Sequence, residues 1–93
     1  MQRKLLHSPA FIRAAKRLVK KNSQLAGDVK SALELLAEDA FHPALKTHKL
    51  KGDLAECWAC SAGYDLRIVF KFVVHENAEA IQLLSAGTHD EVY

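Results

Sequence analysis

The sequence has 93 residues, of which 49% are hydrophobic and 26% are charged, and its formal net charge is +2. This size fits one compact domain with a single modest core, so we predict one domain over residues 1–93. No apolar run approaches the roughly 20 residues of a membrane span, and the charged N-terminus lacks the apolar segment of a secretory signal. We therefore expect a cytoplasmic protein with no membrane partner.

The charge is unevenly distributed along the chain. Residues 1–52 contain eleven Lys and Arg against four Asp and Glu, a net +7, whereas residues 53–93 contain two against seven, a net −5. This asymmetry favours a basic surface that binds a polyanion. A solvated basic helix pair beside an acidic sheet explains it equally well.

The first predicted elements are a short strand and a helix. Lys4–His7 predicts a strand; Ser8 can then cap a helix, and Pro9 suits its first position. Apolar residues follow at helical spacing: Phe11, Ile12, Ala15, Leu18 and Val19. The opposite face is basic, and its residues are Arg13, Arg17 and Lys20, with Lys16 and Lys21.

A second helix follows after a short break. Asn22 and Ser23 interrupt the pattern and can cap this helix, whose apolar residues run from Leu25 to Leu36. The short join predicts that the two helices form an antiparallel hairpin. Beyond Asp39 the helical period stops, and an irregular segment leads into a basic loop that ends at Gly52.

The remainder predicts strands over Leu54–Ser61, Asp65–Phe72 and Ala80–Ser85, with a hairpin turn at His75–Ala78. The order is β-α-α-β-β-β. We therefore predict an α+β fold in which a helical hairpin packs on an antiparallel sheet.

Cys57 and Cys60 have the C-x-x-C spacing of a redox motif or a zinc half-site. Within a strand, however, their side chains would point to opposite faces, and no second C-x-x-C supplies further ligands. The pattern favours two small buried residues in a reducing compartment, so we predict no metal and no cofactor.

Four polar residues are candidates for chemistry. Asp65 and Arg67 are two apart in a predicted strand and share a face, either as a surface ion pair or as a carboxylate beside a phosphate-binding guanidinium. His48 lies in the basic loop, and His89 follows the last strand. Either histidine alone fits a solvated or packing role.

Together, such residue types suffice for metal-free cleavage of RNA. One histidine takes the proton of the ribose 2′-OH, which attacks phosphorus, and the other protonates the leaving 5′-oxygen. The unperturbed histidine pKa of about 6.5 suits both transfers. An arginine suits the charge that develops on the phosphate oxygens. The spacing alone does not bring these groups together.

Three segments carry a resemblance: Leu45–Gly52 (LKTHKLKG), Ser61–Phe70 (SAGYDLRIVF), and Leu84–His89 followed by Glu91–Tyr93. They resemble the loop before the second strand, the S-x-G-Y-R-L-V-Y strand, and the C-terminal strand and tail of the RelE/ParE toxin superfamily of bacterial toxin–antitoxin systems. The resemblance implies cleavage of mRNA in the ribosomal decoding site and a cognate antitoxin that covers the toxin.

The YafQ-like branch is the most similar, and it uses histidines and an aspartate. His48, Asp65 and His89 fall on that branch's loop histidine, strand aspartate and C-terminal histidine, and Arg67 falls on the strand arginine of RelE. The resemblance implies His48 as general base, Asp65 as an orienting group, Arg67 as the phosphate-binding group and His89 as general acid. Exchanging the acid and the base fits the sequence equally well.

The chain also departs from both patterns. The YafQ-like branch has a histidine at Ser61 and an arginine at Ser85, and the lysines of RelE are replaced here by Glu56 and Trp58. RNA backbone, and ribosomal RNA in particular, would bind to the basic helix face and to Lys46, Lys49 and Lys51. Tyr93 would stack on a base, or is simply a terminal residue.

Two alternatives stay open at this point. The first is a ParE-like toxin on the same fold, which binds DNA gyrase and cuts no RNA. The second is a non-catalytic RNA-binding domain that uses only the basic helices.

Overall fold

The computed structural model of the protein describes residues 2–89. Two helices pack on a five-stranded sheet of order β1-β5-β4-β3-β2. The helices are α1 (Pro9–Lys21) and α2 (Leu25–Glu38), and the strands are β1 (Lys4–His7), β2 (His48–Lys49), β3 (Trp58–Ala62), β4 (Leu66–His75) and β5 (Ala78–Thr88). The α+β class is confirmed, with the additional short strand β2.

The sheet is mixed, which corrects the prediction of a purely antiparallel sheet. β1 pairs in parallel with β5, from Lys4 opposite Ala80 to His7 opposite Leu83, and the other pairs are antiparallel. A tight turn forces antiparallel pairing, as the Glu76–Asn77 turn does for β4 and β5. β1 is joined to the sheet through both helices, so no local turn fixes its direction.

The start of α1 has the predicted cap. The Ser8 hydroxyl accepts a hydrogen bond from the Phe11 amide at 3.1 Å, and Pro9 occupies the first helical turn. The predicted cap of α2 is wrong, because Asn22 ends α1 instead. Its Oδ1 accepts from the Gln24 amide at 3.1 Å, and Gln24, the residue before α2, makes no side-chain cap.

The main core lies between the helices and one face of the sheet, which we call the covered face. Its fully buried members include Leu36 of α2 and Ile68, Phe70, Ile81 and Leu83 of the central strands. Trp58 and Phe72 pack against this core, and the half-exposed Phe41 packs on both, with ring centroids 5.3 to 5.9 Å apart among the three. Burial of this apolar surface is the largest favourable contribution to folding.

The opposite face, which we call the open face, carries a small apolar cluster of Leu50, Ala59 and Val69. Between Val69 and Phe70 the register of β4 with β5 shifts by one residue. Leu84 is the extra residue, so Val69 lies opposite Ser85 and Phe70 lies opposite Leu83. This bulge changes the alternation and places Ser85 on the open face.

Cys57 and Cys60 lie on opposite sides of the sheet, although β3 begins only after Cys57. Cys60 belongs to the main core, and Cys57 packs against the small cluster of the open face. Both are free thiols. Burial raises the pKa of the Cys60 thiol from 9.0 to about 12, although the Arg67 guanidinium acts to lower it.

Candidate functional site

The candidate site lies on the open face, where the strand register brings polar residues into two neighbouring rows. Ser61 of β3, Arg67 of β4 and Gly87 of β5 are paired across one row. His48 is paired with Ala59 in the next row. Paired residues of adjacent strands project to the same face, so these side chains share one surface.

His48 lies in the short edge strand β2 and not in a loop, which corrects the sequence interpretation. Its Nδ1 lies 3.0 Å from the carbonyl oxygen of Lys46. Because a carbonyl oxygen only accepts, this contact is a hydrogen bond in the tautomer that carries its proton on Nδ1. In that tautomer the lone pair of the neutral ring is on Nε2, as a general base requires.

Lys46 sets up this contact through its backbone. It follows a short 3₁₀ helix over Pro43–Leu45 and adopts a left-handed conformation, with φ of 51°. Its amide donates to the carbonyl of Pro43 at 3.2 Å. This turn directs the carbonyl of Lys46 to the His48 ring, and the side chain of Lys46 lines the same cleft as that ring.

Arg67 lies at the centre of the site and is half-buried. Its Nη1 donates to the carbonyl of Leu66 at 3.0 Å, which uses one of the five N–H donors of the guanidinium. Within the part of the chain that the structure describes, no ion pair joins Arg67 to Asp65. The interpretation of the two as a surface ion pair is therefore wrong.

Asp65 lies in the turn before β4 and not in the strand. Its carbonyl accepts a hydrogen bond from the His89 amide at 3.0 Å, which continues the pairing of β4 with β5 by one residue. Asp65 and His89 are thereby held beside each other at the end of the sheet, and both are exposed.

Two adjoining clefts contain these groups. The first, of about 440 Å³, is lined by Lys46, His48, Ser61, Arg67 and His89. The second, of about 550 Å³, shares Lys46, Ser61, Arg67 and His89 with the first. It adds the side of the β3–β4 turn, with Gly63, Tyr64 and Asp65, and also Ala44. We call the two clefts together the trough.

The structure thus brings together His48, Arg67, His89 and Lys46, with Asp65 in the second cleft. Ser61, which replaces a histidine of the YafQ-like branch, also lines both clefts. Both Ser61 and Tyr64 were missed as site residues. The sequence signal for both residues is their place in the Ser61–Phe70 segment, where they fall on the Ser and Tyr of the S-x-G-Y-R-L-V-Y pattern.

Other predicted RNA-binding residues lie away from the trough. Arg13, Arg17 and Lys20 are exposed on α1, which packs on the covered face. Lys49 is paired with Trp58, on the side of the sheet opposite His48. Lys51 is exposed in the loop after β2, and Tyr93 lies outside the described residues.

Two further features of residues 2–89 bear on the class of site. No group of three or more His, Cys, Asp or Glu side chains there is arranged to hold a metal ion. None of the helices in that range is long and apolar enough to cross a membrane.

Comparison with known proteins supplies the family context. A family model described as a bacterial toxin of type II toxin–antitoxin system, YafQ, matches residues 3–93. No curated protein matches the sequence significantly.

Solved structures of toxins share the fold. YafQ from E. coli strain BL21(DE3) is 18% identical, with a TM-score of 0.76 and coverage of 99% of both chains. The E. coli DinJ–YafQ toxin–antitoxin complex contains a chain that is 19% identical, with a TM-score of 0.74 and coverage of 100% of this chain and 99% of that one. The YoeB–YefM complex from Staphylococcus aureus contains a chain that is 20% identical, with a TM-score of 0.70 and coverage of 96% of this chain and 99% of that one.

Proposed function

The chain belongs to the YafQ family of bacterial toxins of type II toxin–antitoxin systems, and from this premise we propose that it is an endoribonuclease that cleaves mRNA on the ribosome. The observation that carries the proposal is the trough, in which two imidazoles and a guanidinium line one cleft. We further propose that a cognate antitoxin binds this toxin, because similar structures include the DinJ–YafQ and YoeB–YefM complexes.

The cleavage step follows from the hydrogen bond of His48. With the proton on Nδ1 held by the Lys46 carbonyl, Nε2 accepts the proton of the ribose 2′-OH. The 2′-oxygen forms a bond to phosphorus, and the bond from phosphorus to the 5′-oxygen of the next nucleotide breaks. His89 donates a proton to that leaving oxygen. The Nδ1 contact supports His48 as the base and His89 as the acid, which the sequence left interchangeable.

Three other groups stabilise and orient the reacting phosphate. Arg67 binds its non-bridging oxygens, where negative charge develops. Lys46 adds a second cation to the cleft. Asp65 holds the backbone of the acid in place, because its backbone carbonyl accepts the His89 amide. The exposed cations outside the trough, on α1 and around β2, contact ribosomal RNA backbone.

Translation of a defined message in vitro tests this function. Purified protein is added, and new 5′ ends within the reading frame are mapped by primer extension. We expect such ends with the wild type and their loss in His48→Ala and His89→Ala. His75→Ala is the matched control, because His75 lies at the opposite end of β4, beside the Glu76–Asn77 turn.

The same experiment separates the alternatives. An intact message together with inhibited DNA gyrase would favour a gyrase-binding toxin. Inhibition of translation without cleavage, unchanged in His89→Ala, would favour a non-catalytic RNA-binding domain.

A further inference from the structure

The β3–β4 turn presents an aromatic ring that the proposed cleavage step does not use. Tyr64 is 99% exposed, more than any other large hydrophobic side chain in residues 2–89. It lines the second cleft of the trough together with Asp65, Arg67 and His89. Arg67 and Lys46 supply positive charge to the same cleft. Proteins bind single-stranded nucleic acids by combining a positively charged groove with aromatic rings on which the bases stack.

The turn that carries this ring lies against helix α2. Gly63 has φ of +69°, a conformation that favours glycine. A Cβ atom at this position would lie 2.6 Å from Oδ2 of Asp28 in α2, so the turn packs closely against the helix layer. The backbone under Tyr64 therefore lies against α2, while the ring stays accessible.

Under the proposed roles of His48 and His89, the lining of the two clefts favours one side of the cut for the ring. The first cleft contains both His48 and His89, whereas the second contains His89 without His48. If His48 takes the proton of the 2′-OH, the nucleoside that carries this hydroxyl lies in the first cleft. The nucleoside that leaves with its 5′-oxygen protonated by His89 then lies in the second, whose volume of about 550 Å³ is within the range of small-molecule sites.

We propose that Tyr64 is a stacking platform for the base on the 3′ side of the cut, so that the second cleft is a nucleobase subsite. This inference rests on the proposed ribonuclease function and adds a contact on the substrate to it. The class of ligand is a nucleoside in RNA. Because every base has a π face, the contact contributes affinity and position more than a strict choice of base.

Binding to programmed ribosomes tests the contact without cleavage. The probe is an mRNA in the decoding site whose scissile nucleotide carries 2′-deoxyribose, made with the 3′ base intact or replaced by an abasic site. Wild type, Tyr64→Ala and Tyr64→Phe are compared. Loss of one stacked base through Tyr64→Ala should weaken binding to the intact message by about 5- to 150-fold, and Tyr64→Phe should retain most of it.

The abasic message makes the test specific. On that message the wild type and Tyr64→Ala should bind with equal affinity, because the base that the ring contacts is gone. If Tyr64→Ala loses affinity equally for both messages, or for neither, the proposal is overturned. So would a loss that disappears only when the 5′ base is abasic, because the ring would then face the other side of the cut.

The outcome is distinguishable from failure of the proposed function. Base-dependent binding through Tyr64 with no cleavage of an all-ribose message would refute the nuclease and keep the stacking contact. Cleavage that is lost in His48→Ala but insensitive to Tyr64→Ala would support the nuclease and refute the stacking contact. Because the ring is exposed, the melting temperature of Tyr64→Ala should match that of the wild type, and this checks its folding.

Discussion

The two faces of the sheet are built from the same strands but have different roles. On the covered face, Ile68 and Phe70 are fully buried among apolar side chains from the helices. On the open face, their neighbour Arg67 lies half-buried in the trough with His48. The period of two along β4 thus separates stability from chemistry, and adjacent residues should respond to substitution in opposite ways.

The largest effect is expected for Arg67, on the open face. Arg67→Ala should lower the rate of mRNA cleavage by about 100- to 1000-fold, because charge on the transferring phosphate loses a preorganised donor. Arg67→Lys keeps the charge but loses the bidentate geometry of the guanidinium. Its cleavage rate should therefore lie between those of the wild type and Arg67→Ala. Cleavage rates at saturating protein give the effect. A melting temperature that falls as far as in a core variant would assign Arg67 to stability instead.

Ile68, the next residue, should show the opposite behaviour. Ile68→Ala removes a fully buried side chain from the main core and should lower the free energy of unfolding by about 2 to 5 kcal/mol. Urea denaturation measures this. Cleavage per folded molecule should stay near the wild-type rate, and a specific loss of catalysis would contradict the separation of the two faces.

Cys60 makes the covered face sensitive to alkaline pH. Its thiol, with a folded pKa raised to about 12 by burial, stays neutral in the native protein, whereas the unfolded chain ionises near 9.0. The unfolded state therefore releases its proton first. Stability should fall as pH rises from about 9 to 12, by about 1.4 kcal/mol for each pH unit.

Urea unfolding in the presence of a reductant, between pH 8 and 11, measures this slope. Cys60→Ala should remove its contribution, and Cys57→Ala, on the open face, should keep it. A slope that survives in Cys60→Ala would show that other groups cause the loss of stability.

The smallest effects on stability are expected at two glycines, Gly63 in the β3–β4 turn and Gly27 in α2. Gly63→Ala should destabilise by about 1 to 2 kcal/mol, because the left-handed backbone and the contact with Asp28 both oppose a Cβ atom. Gly27 in α2 has no atom within 4 Å of such a Cβ, so Gly27→Ala should stabilise by about 0.5 to 1 kcal/mol. Thermal unfolding of both variants decides the sign, and two changes of the same sign would contradict this account.

Elements governed by local signals could be predicted from the sequence. The bounds of β1, the Ser8 cap and the turn at Glu76 and Asn77 all follow from residues within a few positions. Pairings between distant segments could not. Nothing near β1 indicates its parallel partner, and β2 exists only because His48 and Lys49 pair with residues 58 and 59.

The candidate site follows the same rule. The family resemblance selected His48, Asp65, Arg67 and His89, but spacing alone could not show that they line one trough. The bulge at Leu84 changes which β5 side chains reach the open face, and no local pattern predicts it. Ser61 and Tyr64 enter the site only through the packing of β3 and its turn against the rest of the fold.

Analysis of the ends of the cleaved message tests the central claim most directly. If the groups of the trough promote attack by the ribose 2′-OH, the upstream fragment should end in a 2′,3′-cyclic phosphate, or in the phosphate formed when it opens. The downstream fragment should begin with a 5′-hydroxyl. Mass spectrometry of the two fragments distinguishes these ends. A 3′-hydroxyl upstream with a 5′-phosphate downstream would contradict the account, because water would then be the nucleophile.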